Sequence, residues 1–214
     1  MTMQKADYIE RLIAEGEHEH QDFKYRISDS RKIARTLSAF ANNSGGHLLV
    51  GVKDNGHITG VTSEEEMFMI EQAATMYCHP KQQVQLKLFH VAGKTVLKVD
   101  IAESAAKPVK APDEHGLWKA YYRVADENVL ASNLHVKMLK RQAGVNAANS
   151  VIRFEENERL IMSYLDGHGG ITVTGYTKLA HVSRKVAENS ILNLLEMRMV
   201  TLRYHNGQCL IVKD

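Results

Sequence analysis

Glutamate and histidine alternate in Glu17-His18-Glu19-His20, and Asp22 follows two residues on. On a strand, successive side chains point to opposite faces, so His18 and His20 would share one face and Glu17 and Glu19 the other. Carboxylates and imidazoles are metal-ligand types. A metal centre also needs them to converge with a third ligand from elsewhere. From spacing alone, the stretch reads as a solvated acidic edge ahead of a strand. Asp54 adds a carboxylate in Asp54-Asn55-Gly56, where the turn itself accounts for an aspartate.

Gly45, Gly46 and Gly51 invite a nucleotide-binding reading. Neither GxxxxGK[ST] nor a GxGxxG opening a helix after a strand is present, so ATP is not expected. Turn formation and close backbone packing explain these glycines more simply. Lys107-Pro108-Val109-Lys110-Ala111-Pro112, followed by Trp118–Val124, mixes basic and aromatic residues that could stack on and contact a single strand. Half of such a strand must face a core, so at least two of its aromatics are expected to serve packing. His135–Arg141 adds a short basic helix.

Near the C-terminus, Ser183 caps a helix beginning Arg184-Lys185-Val186. Its first turns would present Arg184, Lys185 and Asn189 outward, while Val186, Ile191, Leu192, Leu194 and Leu195 cover a core. Arginine, lysine and asparagine at a helix start can reach base edges or phosphates. Arg203 and His205, on a following hairpin, could touch backbone. The rival reading is a dimerising or structural module, since local charge there is close to balanced.

The elements that must position these residues follow from periodicity. Asp7–Glu15 has the spacing of an amphipathic helix, stopped by Gly16. QDFKYRI reads as a strand, Ser28-Asp29-Ser30 as a cap, and RKIARTLSAFANN as a helix with Ile33, Leu37 and Phe40 inward. HLLVGV is a buried strand, turned by Asp54-Asn55-Gly56 into a partner strand HITGV. Glu64–Tyr77 is a helix with Met67, Ile70, Ala74 and Tyr77 inward. Val84–Val91 and Thr95–Ile101 form a hairpin, and a loop from Ala102 to Lys119 leads to the strand AYYRVA. Ala143–Ser150 reads as a linker. Beyond it come helix Asn157–Leu165, a short strand at Ile171–Val173, helix Gly175–His181, the Ser183-capped helix, and a hairpin around His205-Asn206-Gly207. That order is the order of a winged helix-turn-helix. The expected division is a domain over residues 1–142, a linker over 143–152 and a second domain over 153–214.

Bulk composition narrows the class. The 214 residues are 44% hydrophobic and 24% charged, ordinary for a soluble globular protein. No apolar run approaches the roughly 20 residues that cross a bilayer. The polar, helical N-terminus is unlike a signal peptide, so a cytoplasmic protein without membrane partners is expected. The net charge of +2 requires any nucleic-acid surface to be local. Two distant cysteines, Cys78 and Cys209, are expected as free thiols.

DFK at Asp22–Lys24 followed by SAFANNSGGHLLVGVKDNGHITGV resembles the Schlafen AlbA-like domain family. Its members carry an E-x-x-x-x-[ED]-F-K strand, an AFAN-x-x-GG turn and a GV-x-D-x-G hairpin. These correspond to Glu17–Lys24, Ala39–Gly46 and Gly51–Gly56, and a later aromatic-Arg strand corresponds to Ala120–Val124. The resemblance covers roughly residues 10–140 and implies an α+β, mixed-sheet domain that handles nucleic acid, here followed by a small winged helix-turn-helix. It implies a DNA-binding transcriptional regulator without catalytic activity, with Lys24, Arg123, Arg184, Lys185, Asn189 and Arg203 as contacts. Nuclease relatives imply an alternative, a metal-dependent endoribonuclease acting on structured RNA. Glu17, Asp22 and Asp54 would then hold Mg2+ or Mn2+. Those relatives build a groove from two lobes in one chain, so this single lobe implies a homodimer. A protein-interaction scaffold is the third reading.

Overall fold

Parity of apolar residues builds the first part of the chain. The computed structural model describes residues 3–61, 64–144, 154–205 and 207–214. Helix α1 (Met3–Glu15) ends at Gly16, strand β1 is Gln21–Lys24, helix α2 is Ser30–Asn42 and strand β2 is Gly46–Val50. Asp29 caps α2 by accepting a 2.8 Å hydrogen bond from the Arg31 amide. Helix α3 (Glu65–Met76) precedes the hairpin of β3 (Val84–Val91) and β4 (Lys94–Ile101). These strands form one mixed sheet, ordered β1-β2-β4-β3, in which β1 and β2 run parallel and the other neighbours antiparallel. The parallel pair has α2 as its crossover, as a β-strand to parallel β-strand connection requires.

Strand alternation separates two cores. Leu48, Val50, Leu97 and Val99 face α2 and α3, packing with Leu37, Phe40 and Ile70. Phe23, Leu49, Val91 and Val96 face the other way, under Ile9 and Leu12 of α1. Cys78 is buried in the first core and its thiol is pushed up to about 12 by burial. A second, three-stranded sheet follows, β5 (Lys110–Pro112), β6 (Trp118–Val124) and β7 (Glu127–Leu130). The loop expected over Ala102–Lys119 therefore contains a strand. Among the aromatics of β6, Tyr121 is buried, Tyr122 half-buried and Trp118 exposed.

The asparagines of the AFANN segment join the two sheets. Asn42 donates from Nδ2 to the carbonyls of Val109 and Tyr121, both at 2.8 Å, and accepts from the Val109 amide at 2.7 Å. Asn43 exchanges two bonds with the backbone of Arg123, both at 3.0 Å. Ser38 donates to the Val109 carbonyl at 2.9 Å. Helix α2 thus ends in amide side chains that complete the backbone hydrogen bonding of β6 and of the segment before β5. Gly45 and Gly46 follow because nothing larger fits. A Cβ on Gly46 would lie 2.5 Å from the Phe40 ring and 2.7 Å from the His20 carbonyl, and Gly45 has φ +78.

Two expected strands are shorter than the sequence pattern suggests. Residues 17–20 form a turn closed by reciprocal amide–carbonyl bonds between His18 and Gln21, so the Glu-His alternation does not lie on a strand. After Asp54-Asn55-Gly56 the chain makes one bridge, Val52 with Ile58, and then ties Thr59 and Gly60 to the Gly51 carbonyl instead of forming a partner strand.

The chain divides into two compact units, Met1–Ala131 and Ser132–Asp214. The second contains α4 (Asn133–Gln142), α5 (Glu156–Gly167), α6 (Val173–Ala180), α7 (Arg184–Glu196) and the hairpin β8 (Val200–His205) and β9 (Gln208–Lys213). The sequence pattern ends the first domain at Gln142. In the structure α4 belongs to the second unit, where Leu134 packs with Ile161, Tyr176, Ile191 and Ile211. Ile171 makes a single bridge to Ile211 rather than a strand. Most of the expected linker, residues 145–153, and Asn206 at the hairpin turn lie outside the described residues. No helix among the described residues is long and apolar enough to cross a membrane.

Replacing Asn42 with alanine strands the Val109 amide and the Tyr121 carbonyl and leaves the Val109 carbonyl with Ser38 alone. The expected loss is about 2–4 kcal/mol of unfolding free energy, read as a lowered urea midpoint at unchanged m-value.

Candidate functional site

Glu17 and Asp22 do come together, through the turn that precedes β1. The Glu17 side chain accepts the Phe23 amide at 2.8 Å and lies in hydrogen-bonding reach of Asp22. Its pKa rises from an ordinary 4.5 to about 7, first because burial disfavours the charged form and then because the Asp22 carboxylate is its neighbour. Asp22 is 2% exposed. Its Oδ1 lies 2.9 Å from Lys24 Nζ and 3.5 Å from Arg123 NH2. Its Oδ2, 2.9 Å from the same ammonium, has no hydrogen-bond partner of adequate geometry.

Arg123 closes the site from the second sheet. Its guanidinium is 1% exposed and donates to the carbonyls of His18 and Gln21 and to the side chain of Asn128, within 3.1–3.4 Å. It also stacks 5.1 Å over the Phe40 ring. Lys24 Nζ bonds to Asp22 and, at 2.7 Å, to the Phe23 carbonyl. Both residues were expected at a nucleic-acid surface. Instead, Arg123 is buried beneath the fold's own acceptors, and Lys24 neutralises Asp22.

These bonds have a common result. The outward-facing amide and carbonyl groups of Gln21 and Phe23, on the edge of the larger sheet, are taken by His18, Glu17, Arg123 and Lys24. Glu17 and the DFK segment spell a capped edge. Gln21 reinforces it from below, donating to the carbonyls of Leu12 and Gly16 at 2.6 Å and accepting from His47 Nε2 at 2.7 Å. Burial and the nearby Lys98 ammonium push His47 down to about 4, so its ring is neutral and the donated proton sits on Nε2. Neither Gln21 nor His47 carries a sequence signal of this role, because the bond between them spans strands.

Asp54 remains apart, exposed at its turn. Among the described residues, no group of three or more His, Cys, Asp or Glu side chains is placed to hold a metal ion. The donor set does not fit the three-carboxylate centre that the resemblance implied. Two carboxyls meet, one of them is occupied by Lys24 and Arg123, and the third is elsewhere.

A different surface emerges in the second unit. Ser132–Asp214 contains eleven lysines and arginines against seven aspartates and glutamates, whereas Met1–Ala131 contains sixteen against eighteen. The basic excess of the second unit comes from Lys137, Lys140 and Arg141 on α4, while residues 153–214 hold eight lysines and arginines against seven aspartates and glutamates, so the charge around α7 and the hairpin is close to balanced, as expected. Helix α6 ends on His181 in the left-handed conformation, φ 53, and Ser183 caps α7 by accepting from the Val186 amide. Arg184, Lys185 and Asn189 are exposed on α7, and Arg203 is exposed on β8. Arg184 Nε donates at 2.9 Å to Glu188, which also takes a bond from Lys137. Burial pushes the Glu188 carboxyl up, but these two cations hold it below the ordinary carboxylate range. Val186, expected in the core, is 40% exposed, because α7 turns Ala187, Ser190, Ile191 and Leu194 inward.

The family described as Schlafen, AlbA_2 matches residues 17–132. No curated protein matches the chain. Among solved structures, the DIP2311 protein from Corynebacterium diphtheriae aligns at 18% identity and a TM-score of 0.48, over 92% of this chain and 40% of that one. The N-terminal domain of a RecG-related protein from Nitrosomonas europaea aligns at 24% identity and a TM-score of 0.44, over 60% of this chain and 95% of that one. The chain thus spans well under half the length of the first.

Glu17 binds its proton more tightly folded, at about 7, than at its ordinary 4.5. The stabilisation is complete below pH 4.5 and is lost as pH rises through 7. Glu17→Gln removes this dependence. The expected outcome is that wild type loses stability relative to Glu17→Gln between pH 5 and 8, measured by urea unfolding at each pH.

Proposed function

The chain belongs to the Schlafen AlbA_2 family, and we propose that it is a DNA-binding regulator that contacts duplex through its second unit. The order of α5, α6, α7 and the β8–β9 hairpin is that of a winged helix-turn-helix, with α7 as recognition helix and the hairpin as wing. The observation that carries the proposal is the exposed start of α7. Arg184, Lys185 and Asn189 stand there together, within the more basic of the two units. Arg203 adds a backbone contact from the wing. The family domain then serves as the platform, and a homodimer presents two recognition helices to paired half-sites. Arg123 is enclosed and completes the fold, while Lys24 pairs with Asp22 and keeps a partly exposed ammonium.

The arrangement gives less support to the endoribonuclease reading. Glu17 and Asp22 direct acceptors to Lys24, Arg123 and the Phe23 amide, and Asp54 does not join them. Transfer RNA incubated with the protein and Mn2+ should stay intact, as judged on a denaturing gel. Cleavage that disappears in Glu17→Ala would restore that reading.

Affinity for duplex DNA should fall steeply with salt, since each phosphate neutralised contributes a slope of about −0.9 in log K against log salt. Arg184→Ala combined with Lys185→Ala should weaken binding roughly tenfold to a hundredfold and flatten the slope by about 2, read by fluorescence anisotropy. No binding at low salt, or an unchanged slope in the double variant, refutes the assignment.

A further inference from the structure

The two edges of the larger sheet are finished differently. At the β1 edge, side chains and a tight turn take the outward backbone groups. At the other edge, among the described residues, the eight residues of β3 pair with β4 alone. An open strand of that length is a template for a further strand. The apolar side chains beside it are also uncovered. Leu88 of β3 is 52% exposed, and Phe68 and Met76 of the adjoining α3 are 64% and 62% exposed. Phe68, Met76 and Val84 line one groove of about 490 Å3.

We propose that a second copy of this chain occupies this edge, its β3 antiparallel to the first about a two-fold axis at Leu88. The reading rests on the homodimer put forward above and supplies its interface. In an antiparallel pair, directly opposed residues share a face, so the axis must fall on a residue. An axis at Lys87 sets two ammonium groups opposite each other, which is unfavourable. An axis at Leu88 opposes Leu88 to itself, Lys87 to Phe89, Leu86 to His90 and Gln85 to Val91. It covers the exposed leucine, sets each ammonium against an aromatic ring, and keeps nearly the whole strand paired. An axis at Phe89 shortens the pairing and leaves Leu88 opposite His90. An axis at Leu86 likewise shortens the pairing, so the strand is most fully self-complementary about Leu88, as an isologous interface favours. The two copies of α3 then approach across the axis, bringing Phe68 and Met76 under cover.

The test uses the full chain. Sedimentation velocity should show a dimer, and Leu88→Lys, a change at an exposed position, should shift it to monomer with at least a tenfold weaker association. In a Cys209→Ser background, where Cys78 is buried, Leu88→Cys should oxidise to a disulfide-linked dimer and Lys87→Cys should not. Cross-linking at Lys87→Cys in place of Leu88→Cys overturns the register. A dimer that survives Leu88→Lys and cross-links at neither position overturns this interface and leaves the dimer standing. A wild-type monomer at high concentration overturns both.

Discussion

The buried guanidinium of Arg123 is the contact on which the first unit depends. It comes from the second sheet, yet its donors end on the turn and strand at the edge of the first, and its charge is balanced by Asp22. A charge so enclosed is tolerated only when its hydrogen bonds are nearly all made, and removing one partner of such a pair costs about 3–5 kcal/mol. The Asn43 side chain holds the Arg123 backbone while Phe40 supports its guanidinium. Helix α2 therefore fixes both ends of the residue that joins the two sheets. The Glu17–Lys24 segment, the Ala39–Gly46 turn and the aromatic-Arg strand Ala120–Val124, distant in sequence, are pieces of this one junction.

That junction reassigns the acidic pair. Two neighbouring carboxyls suggest acid–base or metal chemistry, and Glu17 holds its proton more tightly in either case. What decides between chemistry and architecture is where the remaining lone pairs and donors go. Here they go to the Phe23 amide, Lys24 and Arg123, all within the fold. Exposed donors on a helix start and a hairpin stand in the other unit.

Much of this was legible in the sequence. Apolar spacing placed α1, α2, α3 and the β3–β4 hairpin, and the ordered motifs identified the family domain. The strand expected over Gln21–Ile27 ends at Lys24, whose carbonyl takes the Gly51 and Val52 amides, a long-range exchange that leaves no local pattern. The strands β5 and β7 were missed because each is short and gains its stability from neighbours, β5 from the Asn42 and Ser38 side chains just ahead of it and β7 from β6. Arg123 misled for a related reason. An arginine within a strand of aromatics looks like a surface contact unless the carbonyls that will surround it are known, and those come from residues about a hundred positions earlier. Val186 shows the limit of helical spacing, since the face that α7 buries runs through Ala187, Ser190, Ile191 and Leu194 and leaves it outside.

The finished edge at β1 has a consequence for assembly. A sheet open on both sides can add copies without end, and a family of such chains would be prone to fibres. With one side sealed by Glu17, Lys24 and Arg123, strand addition has only one direction to take. Once that direction is used, nothing remains to extend. The seal acts as a terminator: a pair formed at the open edge would leave neither copy an unsealed edge of this sheet from which a filament could start.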